Sequence, residues 1–437
     1  MSNKAETVNK NSKRTLTPKL RFPEFRDKGG WEEQPLKKMA KFASGGTPSK
    51  INPKLWDGDI PWISASAMHD TVVYDSELRV THEAIGNGTR LAPKGSILIL
   101  VRGSMLFKRV PICFAERDVA FNQDVKSIRP KRDVVTRYLL YHLIATESRI
   151  AINSTGIGAG KIDTEHLKSL IIGVPSCAEQ QKIAECLSSL DGLIAAEGRK
   201  LAALRDHKRG LMQQLFPQPG QTQPRLRFPE FREKREWTRH TLSHYVSALD
   251  AGVSVNGGDR PARNGEIGVL KTSCVTTGTF DHTKNKVVLE PEELGRVKES
   301  VQRDTLIISR MNTIELVGAN AYVERDIINL HLPDRLWAAK PTANGNMRFL
   351  SYILGSDLGR AFLSSLAAGS SGSMKNISKP EVLAIPILVP SIAEQQRIAD
   401  CLTVLDARIA AQAAKIDALK THKRGLMQQL FPAPEVS

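Results

Sequence analysis

Apolar side chains recur along two stretches of this chain with a period longer than a strand's and steadier than an isolated globular helix needs. Counting by fours and threes from Ile183 meets Leu187, Leu190, Ile194, Glu197, Leu201, Leu204, Lys208, Leu211 and Leu215. From Ile398 the same count meets Leu402, Leu405, Ile409, Gln412, Ile416, Leu419, Lys423, Leu426 and Leu430. Eight of the ten positions are apolar in each series, and the polar ones fall at the same two steps. A seam held at 3.5-residue spacing predicts a coiled-coil helix, which needs a partner to cover it. The nearest partner is the other copy, because residues 175–217 and 390–432 are identical at 29 of 43 aligned positions. Each helix is expected to run for about 35 residues, about 50 Å at 1.5 Å per residue.

The duplication is wider than the helices. KLRFPEFRDKGGW (19–31) repeats as RLRFPEFREKREW (225–237), FAERDVA (114–120) as YVERDII (322–328), and RYLLYHL (137–143) as RFLSYIL (348–354). GSILILVRGSM (95–105) aligns with DTLIISRMNTI (304–314), which sets Arg102 opposite Arg310. The chain is one unit written twice. Each unit opens with a globular stretch whose short β-branched runs, at 97–101 and 170–174 or 306–309 and 385–389, read as buried strands. One amphipathic helix is expected in each, near 134–152 and 347–366. Gly- and Ser-rich turns, STGIGAGK (154–161) and AAGSSGSMK (367–375), then lead to the closing strand and the long helix. Heads at 19–174 and 225–389, helices at 175–217 and 390–432, and a Pro-rich linker at 218–224 follow, with a basic disordered tail at 1–18 and a short one at 433–437. The fold class is α+β. Residues 46–92 and 252–303 share little, so the two heads are expected to touch different things while the helices dock the same partner twice.

Composition adds a polyanionic partner. The chain has 437 residues and a net charge of +16, with +11 in residues 1–217 and +5 in the remainder. An excess of this size favours phosphate, since neutralising it releases counterions. No apolar run reaches the length of a membrane span and the N-terminus lacks an apolar core after its charges, so a cytoplasmic protein with no membrane partner is expected. Cys113, Cys177, Cys186, Cys274 and Cys401 are scattered and never in a CxxC spacing, which suggests neither a disulfide frame nor a zinc site.

Catalytic patterns are missing where they would be looked for. No Asn or Asp precedes a Pro-Pro-aromatic run, as adenine methyltransferases require. GIGAGK has three residues where the P-loop needs four, followed by Ile162 instead of Ser or Thr. DRLWAAK (334–340) offers a fragment of a nuclease pattern without an equivalent in the first copy. His207 and His422, in the repeated HKRG, are placed to favour a helix C-terminus. No catalytic and no metal residue is assigned.

Two variable heads, each opened by LRFPEF…W and closed by a strand, Pro and E-Q-Q-[KR]-I-A-x-C-L, with long helices ending HKRGLMQQLFP, resemble the DNA-specificity (S) subunit of type I restriction-modification enzymes. GGTPS (45–49) with DIPWISASAM (59–68) is similar to the opening of one class of target-recognition domain in that family. The resemblance covers residues 18–432. It implies two pseudo-two-fold-related target-recognition domains separated by an antiparallel coiled coil, each domain reading one half of an asymmetric, bipartite double-stranded DNA target. It also implies two methyltransferase (M) subunits as partners, with restriction (R) subunits added to them. S-adenosylmethionine, ATP and magnesium would sit on those partners and no cofactor on this chain.

Base-reading candidates are Gly45, Gly46, Thr47, Ser49, Lys50, Ser64, Ser66, Arg102 and Ser104 in the first head. In the second they are Ser254, Asn256, Arg263, Lys271, Thr272, Ser273, Arg310 and Asn312; Arg suits guanine and Asn adenine. An exposed polar loop or a phosphate contact is the alternative for each. Gln180, Gln181, Gln395 and Gln396 are assigned to partner binding or helix capping. The sixteen apolar seam residues form the coiled-coil and partner-binding set. A single-chain methyltransferase or nuclease fusion and a paired-helix adaptor that ignores DNA are the competing readings.

Overall fold

The computed structural model describes residues 15–156, 158–368 and 374–432. Most of both expected tails and the middle of each Gly-rich turn, Ile157 and residues 369–373, fall outside the described residues, but the N-terminal tail ends sooner than 18, because Thr15 and Leu16 pair as a strand with Glu32 and Trp31. The chain divides into two compact units, residues 1–199 with 413–437, and residues 200–412. The cut falls inside both long helices, so each unit owns a head and a segment of each helix.

The strands of the first unit that frame its main sheet and site include β1 (Trp31–Pro35), β2 (Ala40–Ser44), β3 (Trp56–Ile63), β4 (Val72–Val73), β5 (Ile97–Leu100), β6 (Arg102–Gly103), β7 (Ile112–Ala115), β8 (Val119–Phe121) and β9 (Val125–Pro130). Helix α1 (Thr136–Ala145), β10 (Gly160–Lys161), β11 (Ile171–Val174) and the long α2 (Cys177–Leu215) follow. One sheet runs β2-β9-β5-β7-β4 and a second places β3 beside β8 in parallel. The expected strand at 97–101 is real and wholly apolar because both its faces are covered; Ile97, Leu98, Ile99 and Leu100 are all fully buried. The amphipathic helix ends sooner than expected, at Ala145, where Thr146 turns its hydroxyl back to the His142 carbonyl (2.7 Å) and a single 3-10 turn, Glu147–Arg149, succeeds it.

The second unit repeats the plan with β12 (Thr238–Thr241), β13 (Val246–Ala251), β14 (Gly268–Leu270), β15 (Thr305–Ser309), β16 (Met311–Asn312), β17 (Asn320–Val323), β18 (Ile327–His331) and β19 (Leu336–Pro341). Then come α3 (Met347–Gly355), α4 (Asp357–Ser365), β20 (Lys375–Asn376), β21 (Pro386–Val389) and α5 (Ile392–Leu430). Its main sheet runs β13-β19-β15-β17 and stops there. The single helix expected over 347–366 is two. Ser356 adopts extended backbone and caps α4 by accepting from the Gly359 N–H (3.1 Å), so a second helix starts where the first ends.

Both long helices have 39 residues, four more than expected, or about 58 Å each at the α-helical rise. Within the first unit Asp191 pairs with Lys423 (2.5 Å) and Glu197 with Lys415, so the sequence rises on one helix as it falls on the other and the pairing is antiparallel. Ile183 and Leu187 share a buried cluster with Met427 and Leu430. In the second unit Leu215 shares a cluster with Ile398 and Leu402, and Lys208 pairs with Asp406 (2.6 Å). All sixteen seam residues are buried or half-buried, whereas Leu193 and Val404, off the seam, are exposed. The seam is therefore spent inside the chain, and its polar steps are inter-helix ion pairs at Glu197, Lys208 and Lys423, with Gln412 buried. Both helices run eight residues past His207 and His422, so these exposed histidines lie short of the last turn and the expected C-terminal role does not hold.

The repeated N-terminal motif is an anchor. Arg21 grips Glu179 with two bonds of 2.8 Å, Trp31 Nε1 donates to the same carboxylate (3.2 Å), and Arg227, Glu394 and Trp237 repeat it at 2.8, 2.8 and 3.4 Å. Both glutamates are 1% exposed. Gln180 and Gln395 hold the chain just before the helix, donating to the carbonyls of Pro175 and Pro390 (3.0 Å each) and accepting from the N–H of Val135 (2.9 Å) and Asn346 (3.0 Å). These bonds tie the head to the helix and cap no first-turn N–H of it; in the first unit it is Ser176 Oγ that accepts from the Glu179 N–H (3.3 Å).

Candidate functional site

In each unit the ends of several strands converge on one edge of the sheets. In the first, β2 ends at Ser44 opposite Lys126, β5 ends at Leu100 opposite Val125, and β3 ends at Ile63 beside Phe121. The loops leaving these ends contain most of the candidates. The 45–50 loop packs against the turn between β8 and β9: a Cβ on Gly45 would sit 2.1 Å from the Phe121 carbonyl oxygen, and one on Gly46 2.2 Å from that of Gly88. Both glycines are needed for this close approach, which assigns them to shaping the loop. Thr47 Oγ1 donates to Gln123 Oε1 (2.7 Å), Trp62 Nε1 donates to the Gly46 carbonyl (3.1 Å), and Trp56 Nε1 to that of Ser49 (3.0 Å). Ser64 and Ser66 share a hydrogen bond (2.9 Å). Lys50, Arg102 and Ser104 are exposed.

Sequence reasoning missed two neighbours on this edge. Lys161 pairs with Arg102 across β10 and β6, and Lys126 donates to Ser44 Oγ (2.7 Å). Burial pushes the Lys126 ammonium below its usual range. The signal for Lys161 was a lysine closing each Gly-rich turn; Lys375 is its nearest analogue and lies opposite Asn312 across β20 and β16.

The second unit builds the same edge from unlike residues. A Cβ on Gly252 would fall 1.6 Å from the Leu332 carbonyl oxygen, so this loop too is pressed on the following turn. Lys271, Thr272 and Ser273 leave the end of β14, and Arg310 and Asn312 leave β15. Asn256 is engaged by Glu293 (3.0 Å), and the Ser254 carbonyl accepts from Arg296 (3.2 Å). Arg263 is not brought to this edge. It lies in the turn before β14, at the opposite end of that strand from Lys271, where its N–H donates to Glu266 (2.7 Å). Arg260, and then that N–H, hold the Glu266 carboxyl down to about 2.

The equivalence of Arg102 and Arg310 is corrected by the hydrogen-bond ladder. Val101 N donates to the Asp124 carbonyl (2.7 Å) and its own carbonyl accepts from Ile162 (2.8 Å); Arg310 makes the same two bonds with Arg335 and Ile377 (3.0 Å each). Arg310 thus stands where the first unit has Val101, and Arg102 stands where the second has Met311. The physical difference follows. Arg102 is exposed, whereas Arg310 is half-buried with its guanidinium 6.0 Å from the Trp337 ring centroid.

The nuclease-like fragment is an ion-pair cluster. Lys340 bridges Asp250 (2.8 Å) and Glu299 (3.0 Å), Asp250 foremost in raising its ammonium's pKa. Among the described residues no group of three or more His, Cys, Asp or Glu is arranged to hold a metal, and no helix is long and apolar enough to cross a membrane.

A duplicated α+β head on a repeated helix pair, with unlike loops gathered on equivalent sheet edges, defines a two-headed recognition scaffold. Residues 28–206 and 261–421 match the type I restriction modification DNA specificity domain, well over half of the sequence, and the chain belongs to that family. It is 38% identical over 170 residues to the type I restriction enzyme EcoR124I/EcoR124II specificity subunit of Escherichia coli, an alignment covering 38% of this chain and 42% of that one. The chain thus spans less than half of that relative. The MjaVIII specificity subunit of Methanocaldococcus jannaschii is 22% identical over 420 residues, covering 94% and 93%. The crystal structure of the type I restriction-modification S subunit from M. genitalium has a TM-score of 0.58 at 16% identity, covering 96% of this chain and all of that one, so the fold is shared.

Proposed function

We propose that this chain is the DNA-binding specificity subunit of a type I restriction-modification assembly. Each head reads one half of an asymmetric, bipartite target in double-stranded DNA. The observation that carries this reading is the pair of equivalent sheet edges with unlike loops, since one scaffold used twice with different contact residues calls for two different half-sites. On this reading the exposed Arg102, Lys50 and Ser104 face DNA in the first head, and Lys271, Ser273 and Asn312 in the second. The chain itself catalyses nothing. Two methyltransferase subunits carry S-adenosylmethionine, and restriction subunits carry ATP and magnesium, in the cytoplasm.

The test is adenine methylation mapped across the source genome with and without this gene. Loss of one bipartite, asymmetric motif is expected on deletion, and an unchanged methylation pattern rejects the reading. Replacing Arg102 by Ala is expected to cost about 1–3 kcal/mol of discrimination at one half of that motif and none at the other. Methyl transfer by the isolated chain from labelled S-adenosylmethionine would instead identify a single-chain enzyme.

A further inference from the structure

Among the described residues, the main sheet of the second unit has no counterpart of β4. In the first unit β4 lies parallel to β7, with Phe114 N donating to the Thr71 carbonyl (2.8 Å) and Glu116 N to that of Val73 (3.0 Å). The segment is tied down by Arg109, which donates to the carbonyls of Met68 and His69 (2.8 and 2.7 Å), and by Cys113 Sγ on that of Asp70 (3.0 Å). In the second unit β17 replaces β7 and ends its sheet. Its neighbour β15 is met by the carbonyls of Val323 and Ala319, which accept from Asp304 (2.9 Å) and Ser309 (2.7 Å). Alternation along an antiparallel strand then turns the N–H groups of Tyr322 and Glu324, the counterparts of Phe114 and Glu116, outward. Neither has a backbone acceptor among the described residues. The segment that would cover them folds back on itself, with Gly278 N on the Val275 carbonyl (3.1 Å) and Asp281 N on that of Cys274 (2.9 Å). Between it and residues 322–325 lies a cleft of about 590 Å³.

We infer that the open edge of β17 accepts an extended, acidic segment of a partner subunit as an added parallel strand. An uncovered edge offers a row of unpaired backbone groups, and main-chain bonding to such an edge is a recurrent mode of peptide recognition. The first unit displays the geometry of the occupant, because β4 is a strand of this kind supplied from within. It also carries an acid: in MHDTVVYD (68–75) Asp75 is matched by Arg79 (2.6 Å), which leaves Asp70. The cleft's wall is complementary. Lys208 and Arg348 there are matched by Asp406 and Glu324, which leaves Arg325, exposed and without an ion-pair partner among the described residues, to meet an acid. The inference rests on the reading of this chain as a subunit of a methyltransferase assembly.

The experiment is residue-resolved amide hydrogen exchange on the full chain in three states: alone, with its cognate methyltransferase subunits, and with a DNA duplex only. Assembly is scored separately by co-elution and by adenine methylation of a target duplex. Tyr322 and Glu324 amides should exchange quickly in the chain alone and at least tenfold more slowly in the complex, with Phe114 and Glu116 slow in both. A complex that assembles and methylates while both amides stay fast overturns the inference and leaves the functional reading intact. Failure to assemble overturns both, and protection by duplex alone makes the edge a nucleic-acid surface and overturns the strand. Glu324→Pro removes one outward donor without touching the ladder. It should weaken assembly about tenfold, and undiminished assembly by the folded variant would likewise overturn the inference.

Discussion

In the first unit Arg21, Trp31 and Glu179 join the head to its long helix, and in the second Arg227, Trp237 and Glu394 make the same bonds to within 0.2 Å. Tyr141 donates to Asp191 (2.7 Å), which also holds Lys423; Tyr352 donates to Asp406 (2.7 Å), which holds Lys208. Away from these anchors the units part. The first has a five-stranded sheet closed by β4 and the second a four-stranded sheet left open. The buried His142 of α1 has Ile353 as its counterpart on α3. Repetition is kept where head meets helix and abandoned where the sheets end, so what the two copies share is their mounting, and what differs is what each can touch.

The comparison breaks first at the anchors if they are not equivalent. Glu179→Ala strands the nearly buried Arg21 and is expected to destabilise the first unit by about 3–5 kcal/mol, with Glu394→Ala doing the same to the second. Urea unfolding followed by hydrogen exchange in each unit checks this; a large loss in one and under about 1 kcal/mol in the other would end the equivalence.

A smaller effect should appear in the first unit alone. Burial pushes the His142 imidazole down from 6.5 to about 3, while it accepts from Gly173 N (3.3 Å). Between those two values the unfolded chain binds a proton that the folded chain refuses. The contribution is therefore fully present above pH 6.5 and lost as pH falls, by up to about 1.4 kcal/mol per pH unit. By pH 5 the first unit should have lost about 2 kcal/mol relative to neutral pH from this group. His142→Ile should flatten that part of the stability profile, measured by unfolding at pH 7, 6 and 5, and leave the second unit's profile unchanged.

The smallest effect sharpens the comparison. Asp191→Asn and Asp406→Asn remove equivalent carboxylates, but the Lys423–Asp191 pair is 11% and 28% exposed and the Lys208–Asp406 pair 22% and 42%. Solvent screens the second more. A loss of about 1–2 kcal/mol is expected in the first unit and under about 1 kcal/mol in the second, read from the same unfolding experiment.

Much of this was legible in the residues alone. The heptad seam, the duplication and the strands at 97–101 and 306–309 depend on local periodicity and on self-similarity, which survive without knowledge of neighbours. The family resemblance drew on LRFPEF…W and EQQ, yet nothing local says that Arg21 and Trp31 close on Glu179, 158 and 148 residues away. Arg102 and Arg310 looked equivalent because residue type was matched; ladder register, set by bonds to Asp124 and Arg335, moved Arg310 onto Val101. Arg263 looked like its neighbours in sequence and was carried to the far end of its strand. Gly45 and Gly46 stood among the base-reading candidates and are glycine because two backbones pass too closely for a Cβ.

Sequence by itself determined the duplicated plan, the long apolar seam and the basic charge, because each is a property of the residues and their order along the chain. Tertiary structure alone decided which loops share an edge, which arginine is exposed, and that one sheet is closed by its own strand while the other is left open. These depend on hydrogen-bond register between segments far apart in sequence, where a slip of one residue exchanges a buried side chain for an exposed one.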